Sequence, residues 1–360
     1  MKAWVLSKIG SITLEDTDAP KPGPAEVLIS VKAAGICGSD IPRIFETGAH
    51  KMPLIPGHEF SGVVAGLGEE VDKKWLGKRV AIFPKIPCGK CRVCVGGNPD
   101  MCTDYDYVGS RRNGAFAEYV TAPAANLIEL PNNVGFDTAA MTEPMAVAAN
   151  AVRTGLKGLT SAKDKERAVA VCGLGTIGLM VVMFLKEAGF CNIYVIGNKE
   201  SQRAKAAAFG ITDEAFCNSK KEDAAGWLNA KTGGVSVFFE CVGSNDSINT
   251  GIESTGAGGR LVLVGNPYSD MSFSRNTYWK ILRNQLTVTG IWNSRFRQEI
   301  SENREDLDDW NYVIGKLKDG AIAPEKLITH RLPVEDLNKG FFIMKDKIED
   351  YTKILMVNKD

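Results

Sequence analysis

The sequence predicts an α/β protein of two domains, an irregular β-rich domain followed by one built on a doubly wound parallel sheet. Up to about residue 140 the chain is rich in Gly and Pro and contains short alternating strands, which is typical of irregular β domains. From about Met141, predicted helices and strands alternate, as parallel strands joined by helices do. A length of 360 residues agrees with roughly two domains, each large enough to bury a core.

In the β-rich domain, the clearest predicted strands lie in EVLISVKAAG (26–35) and GKRVAIFPK (77–85). In the second domain, TEPMAVAANAVRTGL and IGLMVVMFLKEAG are predicted helices, the latter closed by a C-terminal Gly. The predicted strands of that domain lie in AVAVCGLG, NIYVIG, VSVFFECVG, GRLVLVG and LTVTGIW. After Trp292 the chain turns polar and helical and ends in the strand-like TKILMVN, which we expect to rejoin the first domain. The predicted domains are therefore 1–145 with 294–360, and 146–293.

The composition argues against a nucleic-acid or membrane partner. Lys plus Arg and Asp plus Glu both total 43, so no net charge attracts a polyanion. The N-terminal MKAWVLSKIG lacks the apolar stretch of a signal peptide, and the apolar run at 177–185 is far shorter than the roughly 20 residues that span a bilayer. We expect a cytoplasmic protein whose nine cysteines are thiols or metal ligands.

A glycine-rich fingerprint, GLGTIG at 173–178, lies between a predicted strand and a predicted helix. This context favours dinucleotide binding over a plain glycine turn. The glycines Gly173, Gly175 and Gly178 permit a tight turn and close approach to a pyrophosphate. Thr176 and Ile177 begin the helix, whose N-terminal N–H groups favour an anion. The sequence therefore predicts a nucleotide site on this loop.

Four cysteines form a C-x2-C-x2-C-x7-C loop: Cys88, Cys91, Cys94 and Cys102. Four thiolates at this spacing can close a tetrahedral shell around zinc and leave no position for substrate. A redox CxxC pair, an iron–sulfur cluster and a nucleic-acid zinc module are the weaker alternatives. We predict a structural zinc here.

A second set of metal donors is dispersed along the chain. Cys37 lies in GICGSD, His58 and Glu59 in PGHEFSG, and Glu143 in MTEPM. Thiolate, imidazole and carboxylate suit zinc, and three protein ligands would leave a fourth position open for chemistry. Spacing alone does not prove that these residues converge, and each taken singly has an ordinary structural interpretation.

The sequence GHEFSGVVAGLGEEV at 57–71 resembles the signature of the zinc-containing medium-chain alcohol dehydrogenases. The resemblance extends to the four-cysteine loop, the GxGxxG and the CGSD, and so covers essentially the whole chain. Within the family, PRIFETGAH (42–50), YDYVGSRRNGAFAEY (105–119) and KILRNQLTVTGIW (280–292) are most similar to the galactitol-1-phosphate and sorbitol dehydrogenase branch.

The resemblance implies a GroES-like catalytic domain and a Rossmann domain with two zinc ions per chain. It implies that Cys37, His58 and Glu143 bind the catalytic zinc, that Glu59 exchanges at the metal, and that Ser39 relays a proton. Asp40 is expected to orient His58. The implied state is a homodimer or homotetramer through the edge of the Rossmann sheet.

The implied reaction is hydride transfer between NAD(P) and a secondary alcohol of a polyol or a polyol phosphate such as galactitol 1-phosphate. Arg111 and Arg112 are candidates for binding the phosphate, with solvated or ion-paired loop arginines as the alternative. Ile41 and Pro42 follow the CGSD motif where many relatives have a histidine, so the proton route beyond Ser39 stays open.

The end of the second Rossmann strand predicts the cofactor. Gly197 lies 19 residues after Gly178, where a ribose-binding acid is expected. A glycine there removes the repulsion of a 2′-phosphate, and Asn198, Lys199 and Arg203 offer donors and charge. The turn resembles the Gly-Ser-Arg turn of NADP-dependent zinc alcohol dehydrogenases. We therefore favour NADP over NAD.

Three alternative functions remain open on the sequence. A threonine or simple-alcohol dehydrogenase belongs to the same family and uses the same donors. A zinc-independent enone reductase usually lacks the four-cysteine loop and the GHE residues, which this chain has. An inactive nucleotide-binding sensor or structural protein would not need a complete set of candidate zinc ligands.

Overall fold

The computed structural model describes residues 1–297 and 308–358. Residues 298–307 of the predicted polar segment lie outside this range. The chain divides into two compact units: the first comprises 1–144, 295–320 and 324–360, and the second comprises 145–294 and 321–323. Among the described residues, no helix combines the length and the hydropathy needed to cross a bilayer.

The strands, in chain order, are β1 (Lys2–Lys8), β2 (Ser11–Asp16), β3 (Glu26–Gly35), β4 (Glu59–Leu67), β5 (Arg79–Ile82), β6 (Lys85–Ile86), β7 (Asp106–Tyr107), β8 (Tyr119–Pro123), β9 (Leu127–Glu129), β10 (Val169–Cys172), β11 (Ile193–Gly197), β12 (Phe216–Asn218), β13 (Val235–Glu240), β14 (Thr255–Leu263), β15 (Thr287–Gly290), β16 (Ile328–Leu332) and β17 (Lys353–Val357).

The α-helices are α1 (Asp40–Pro42), α2 (Arg92–Val95), α3 (Phe136–Ala140), α4 (Thr142–Gly155), α5 (Ala162–Lys165), α6 (Thr176–Glu187), α7 (Glu200–Ala207), α8 (Ala224–Thr232), α9 (Asn245–Ser254), α10 (Arg275–Arg283), α11 (Asp309–Lys318) and α12 (Leu337–Asp346). A π-helical turn, Arg43–Thr47, follows α1 directly.

The first unit is built on a mixed sheet in the order β16-β17-β3-β4-β5-β9, with β8 also paired to β3. The C-terminal strand β17 lies antiparallel to β3, so the end of the chain completes this sheet. Its core includes Trp4, whose indole N–H donates to the Val334 carbonyl at 2.7 Å and whose ring meets Phe341 edge-on at 5.9 Å. These contacts bury large apolar side chains from both ends of the sequence.

The second unit is a parallel sheet in the order β12-β11-β10-β13-β14-β15. The first strand of the unit, β10, therefore lies centrally, and the strand order is that of a Rossmann fold. All four residues of β10 are buried, as expected for a strand covered on both faces. The predicted doubly wound parallel sheet is therefore confirmed.

Candidate functional site

The pairing of β3 with β4 brings the predicted zinc donors of the first unit together. Gly35 at the end of β3 lies opposite Glu59 at the start of β4, so the residues just beyond each strand end are neighbours. Donor atoms of Cys37, His58 and Glu59 all lie within 4.8 Å of one another. His58 and Glu59 are buried and Cys37 is half-buried. A thiol, an imidazole and a carboxylate at this separation fit a single zinc ion.

The surroundings of these donors favour a cation. Burial alone lowers the pKa of His58, but the negative charges of Asp40 and Cys37 raise it well above its usual value. Asp40 Oδ1 lies 3.6 Å from His58 Nδ1, longer than a hydrogen bond, and is 2.5 Å from Arg43 Nη1. The Ser39 hydroxyl donates to Cys37 Sγ at 3.3 Å. The predicted relay serine therefore contacts a predicted zinc ligand.

Glu59 is one partner of a buried ion pair. Lys353, on β17, forms an ion pair with Glu59 and donates to the Ile36 carbonyl at 3.1 Å. Both side chains are almost fully excluded from solvent. The sequence reasoning missed Lys353, because no motif connects position 353 with position 59.

Glu143 lies outside the group of three donors but remains close to it. It is buried in the first turn of α4, and its Oε1 accepts a hydrogen bond from the Tyr107 hydroxyl at 3.1 Å. The Tyr107 ring lies 5.8 Å from that of His58. Burial raises the pKa of Glu143, and burial together with the Glu143 charge raises that of Tyr107 well above its usual value. Tyr107 is therefore a protonated donor that orients Glu143, and the sequence reasoning missed it.

Replacing Tyr107 with Phe is expected to weaken binding of zinc at the Cys37–His58–Glu143 site by about 10- to 100-fold. Removing a hydrogen bond that orients a metal ligand typically has this effect. The affinity would be measured by competition with a chromophoric chelator. Tyr105→Phe is the matched control, because the Tyr105 ring lies only 6.1 Å from that of Tyr107. Equal zinc affinity in Tyr107→Phe and the wild type would contradict the positioning role.

The four cysteines of the predicted structural site converge. Their Sγ–Sγ separations are 3.4 Å (Cys91–Cys94), 3.5 Å (Cys88–Cys102), 3.8 Å (Cys91–Cys102) and 4.0 Å (Cys88–Cys94). A tetrahedron with Zn–S bonds of about 2.3 Å has edges of about 3.8 Å, so the group has the dimensions of a zinc site. Backbone N–H groups of Lys90 and Cys91 lower the pKa of Cys88 to about 7, while burial and the neighbouring thiols raise that of Cys94 to about 12.

The same loop is closed by a short hairpin. Strand β6 ends shortly before Cys88, β7 follows Cys102, and the two strands pair antiparallel with Lys85 opposite Tyr107. The hairpin thus connects the cysteine cluster with the residue that orients Glu143.

In the second unit, the fingerprint adopts the expected turn between β10 and α6. Gly173 has a φ of +93°, and a Cβ on Gly178 would collide with the Gly173 carbonyl. Gly175 caps α6, whose first residues are Thr176 and Ile177. The N-terminus of this helix is suited to a pyrophosphate.

At the end of β11, the residues predicted to bind a 2′-phosphate differ in whether they form ion pairs with other side chains. Asn198 and Lys199 are exposed, and the Lys199 ammonium forms no ion pair with another described residue. Arg203 instead pairs with Glu200 at 3.1 Å and Asp213 at 3.2 Å. Donors from Lys221, Asn218 and Arg203 lower the pKa of Glu200 to about 2. Lys199 is therefore the more available cation.

The two arginines predicted to bind a substrate phosphate, Arg111 and Arg112, lie in the first unit. Arg112 pairs with Glu26 at 2.6 Å, and the Arg111 guanidinium stacks 4.3 Å from the Tyr105 ring centroid. Both line a cavity of about 500 Å³ whose lining includes none of the predicted zinc ligands. Their role in binding a substrate phosphate stays a prediction.

Comparisons with known proteins agree with this geometry. Residues 23–132 match the model of the alcohol dehydrogenase GroES-like domain, and residues 176–308 that of zinc-binding dehydrogenases. Galactitol 1-phosphate 5-dehydrogenase of Escherichia coli K12 is 31% identical over 92% of each chain. L-threonine 3-dehydrogenase of Bacillus licheniformis is 34% identical, over 91% of this chain and 90% of that protein.

Among solved structures, a zinc-binding dehydrogenase from Sinorhizobium meliloti 1021, bound to NADP, matches with a TM-score of 0.87 at 26% identity. The match covers 99% of this chain and 98% of the other. The chain belongs to the zinc-containing medium-chain alcohol dehydrogenase family.

Proposed function

We propose that this chain is a zinc-dependent oxidoreductase that transfers a hydride between a secondary alcohol and NADP. The observation that carries the proposal is the convergence of Cys37, His58 and Glu59 within 4.8 Å. Zinc bound there would act as a Lewis acid that makes an alcohol hydroxyl more acidic. The family membership supports an activity on CH–OH groups.

In this proposal, Cys37, His58 and Glu143 would hold the catalytic zinc, and Tyr107 fixes the orientation of Glu143. Glu59, which is paired with Lys353, would be the carboxylate that exchanges at the metal. The half-buried Ser39 hydroxyl, 3.3 Å from Cys37 Sγ, would accept the substrate proton at Oγ as it releases its own proton to water. The four-cysteine loop would hold the second zinc with no position open for substrate.

The preference for NADP is supported by Gly197, which leaves no acid at the strand end to repel a 2′-phosphate. Asn198, Lys199 and Arg203 would bind that phosphate, with Lys199 as its principal charge partner. The Sinorhizobium relative bound to NADP agrees with this assignment.

A polyol or polyol phosphate is the substrate we propose. The similarity to galactitol 1-phosphate 5-dehydrogenase supports it, and Arg111 and Arg112 are the candidate phosphate ligands. The similarity to L-threonine 3-dehydrogenase favours threonine as the second candidate.

The test is a screen of polyols, their phosphates, threonine and short alcohols with both cofactors, using zinc-loaded protein. We expect the highest kcat/KM for a polyol or polyol phosphate with NADP. A higher kcat/KM with NAD than with NADP would refute the cofactor assignment. Highest efficiency on threonine would establish the second candidate, and nucleotide binding without any turnover would indicate a sensor or structural protein.

We also propose a homodimer, or a tetramer assembled from such dimers, through the edge strand β15. The described part of the sheet ends at β15, which exposes Val288 (43%), and Trp279 (45%) and Trp292 (73%) are exposed nearby in sequence. An unpaired edge beside exposed apolar side chains is suited to a second copy of the chain. Light scattering should show an oligomer that Val288→Lys dissociates; a monomeric wild type would refute the proposal.

A further inference from the structure

The space beside Gly197 is filled by a side chain of the following helix. The carboxamide oxygen of Gln202, on α7, accepts a hydrogen bond from the Asn198 backbone N–H at 2.8 Å. A Cβ placed on Gly197 would lie 2.7 Å from this oxygen. The Gln202 carboxamide thus stands where an acidic side chain at 197 would otherwise extend.

We propose that Gln202 takes the place of the missing ribose-binding acid and determines cofactor specificity. The inference rests on the proposed location of the adenosine ribose at the end of β11. A carboxamide has both an acceptor oxygen and an NH2 donor, so it can bind a 2′-hydroxyl or a 2′-phosphate oxygen. A carboxylate at the same place could only accept, and it would repel the phosphate. The neutrality of Gln202 is what admits NADP.

Glu200 is an acidic residue close in sequence to Gly197, but its contacts argue against a role in binding the ribose. Its Oε1 accepts from Lys221 at 2.8 Å and from Asn218 at 2.9 Å. Its Oε2 accepts from Arg203 at 3.1 Å. The carboxylate is therefore already engaged by three donors, two of them cationic. Turning it toward a ribose would cost these interactions, whereas Gln202 already stands beside Gly197.

The same geometry predicts that positions 197 and 202 are coupled. An aspartate at 197 would meet the Gln202 oxygen, so Gly197→Asp alone forces that side chain to move. Shortening residue 202 to alanine removes this contact, while those of the new Cβ with Phe216 at 3.2 Å and Leu174 at 3.3 Å remain. Gly197→Asp with Gln202→Ala should therefore bind NAD more tightly than Gly197→Asp alone.

The decisive experiment is calorimetric titration of the zinc-loaded full chain with adenosine 2′,5′-bisphosphate and with adenosine 5′-monophosphate. These two probes differ only in the 2′-phosphate. Gln202→Glu keeps the shape of the side chain and adds one charge. We expect Gln202→Glu to weaken binding of the bisphosphate by about tenfold relative to binding of the monophosphate. This factor corresponds to about 1.4 kcal/mol of added repulsion. An unchanged ratio of the two affinities would overturn the proposal.

Ala207→Glu is the matched control, since it adds the same charge on an exposed position of the same helix. An equal effect in this control would show a long-range field and also overturn the proposal. The wild-type ratio tests the proposed function separately. A wild type that prefers the monophosphate refutes the NADP assignment, while the change caused by Gln202→Glu still decides the role of Gln202.

Discussion

Replacing Cys37 with serine is expected to remove one of two zinc ions per chain and to lower kcat/KM by about a hundredfold or more. Serine is a far poorer zinc ligand than a thiolate, and the remaining donors then lack the soft ligand that suits this metal. Without the Lewis acid, several kcal/mol of charge stabilisation in the transition state would be lost. Zinc per chain, measured by mass spectrometry, and steady-state kinetics check both parts.

Two further cysteine variants make this test specific. Cys94→Ser should also lower the zinc content to about one per chain, but through the four-cysteine loop and mainly at the expense of stability. Cys191 is exposed and lies in neither group of donors, so Cys191→Ser should retain two zinc ions and full activity. Retention of both zinc ions in Cys37→Ser would contradict the assignment of this residue.

Replacing Lys353 with methionine is expected to lower the free energy of unfolding by about 3–5 kcal/mol, the typical result of leaving one partner of a buried ion pair alone. In zinc-free protein, in which stability would be measured, Glu59 would remain as a buried carboxylate without a cation. In Lys353→Met combined with Glu59→Gln, most of the lost stability should return, because the buried charge is gone. Urea denaturation followed by tryptophan fluorescence would measure these differences.

The exposed pair Lys78–Glu129 provides the comparison. Its atoms approach to 2.6 Å, but its side chains are 43% and 54% exposed. Lys78→Met should therefore change stability by less than about 1 kcal/mol. If Lys353→Met were as mild as Lys78→Met, the buried pair would not have the energetic importance inferred from its burial.

Local patterns made much of the molecule predictable. The GxGxxG and the four-cysteine loop each lie within a short stretch, so spacing and the neighbouring predicted elements suffice to predict their chemistry. The alternation of strands and helices identified the Rossmann sheet, and the resemblance to the medium-chain dehydrogenases is confirmed. Convergence of Cys37 with His58 could be expected only from the resemblance, since 21 positions separate them.

The residues that contact and orient the site residues could not be predicted. Some of them have partners remote in sequence, and another has a side chain that belongs to no motif. The Lys353–Glu59 pair spans 294 positions, and Tyr107 reaches Glu143 across 36. Gln202 lies only four residues from Asn198, yet a glutamine on a helix gives no signal of its own. These residues become visible only when backbone geometry shows which spaces they fill.

The place of β17 beside β3 has a consequence for how the protein is made. The second unit is nearly continuous in sequence, from 145 to 294, so a ribosome releases almost all of it before the final strand of the first unit appears. Domains synthesised earlier generally fold earlier. Glu59, however, must wait for Lys353, which follows the whole second unit in the sequence, to neutralise its charge. The unit whose synthesis begins first therefore completes its main sheet only after the second unit has been synthesised.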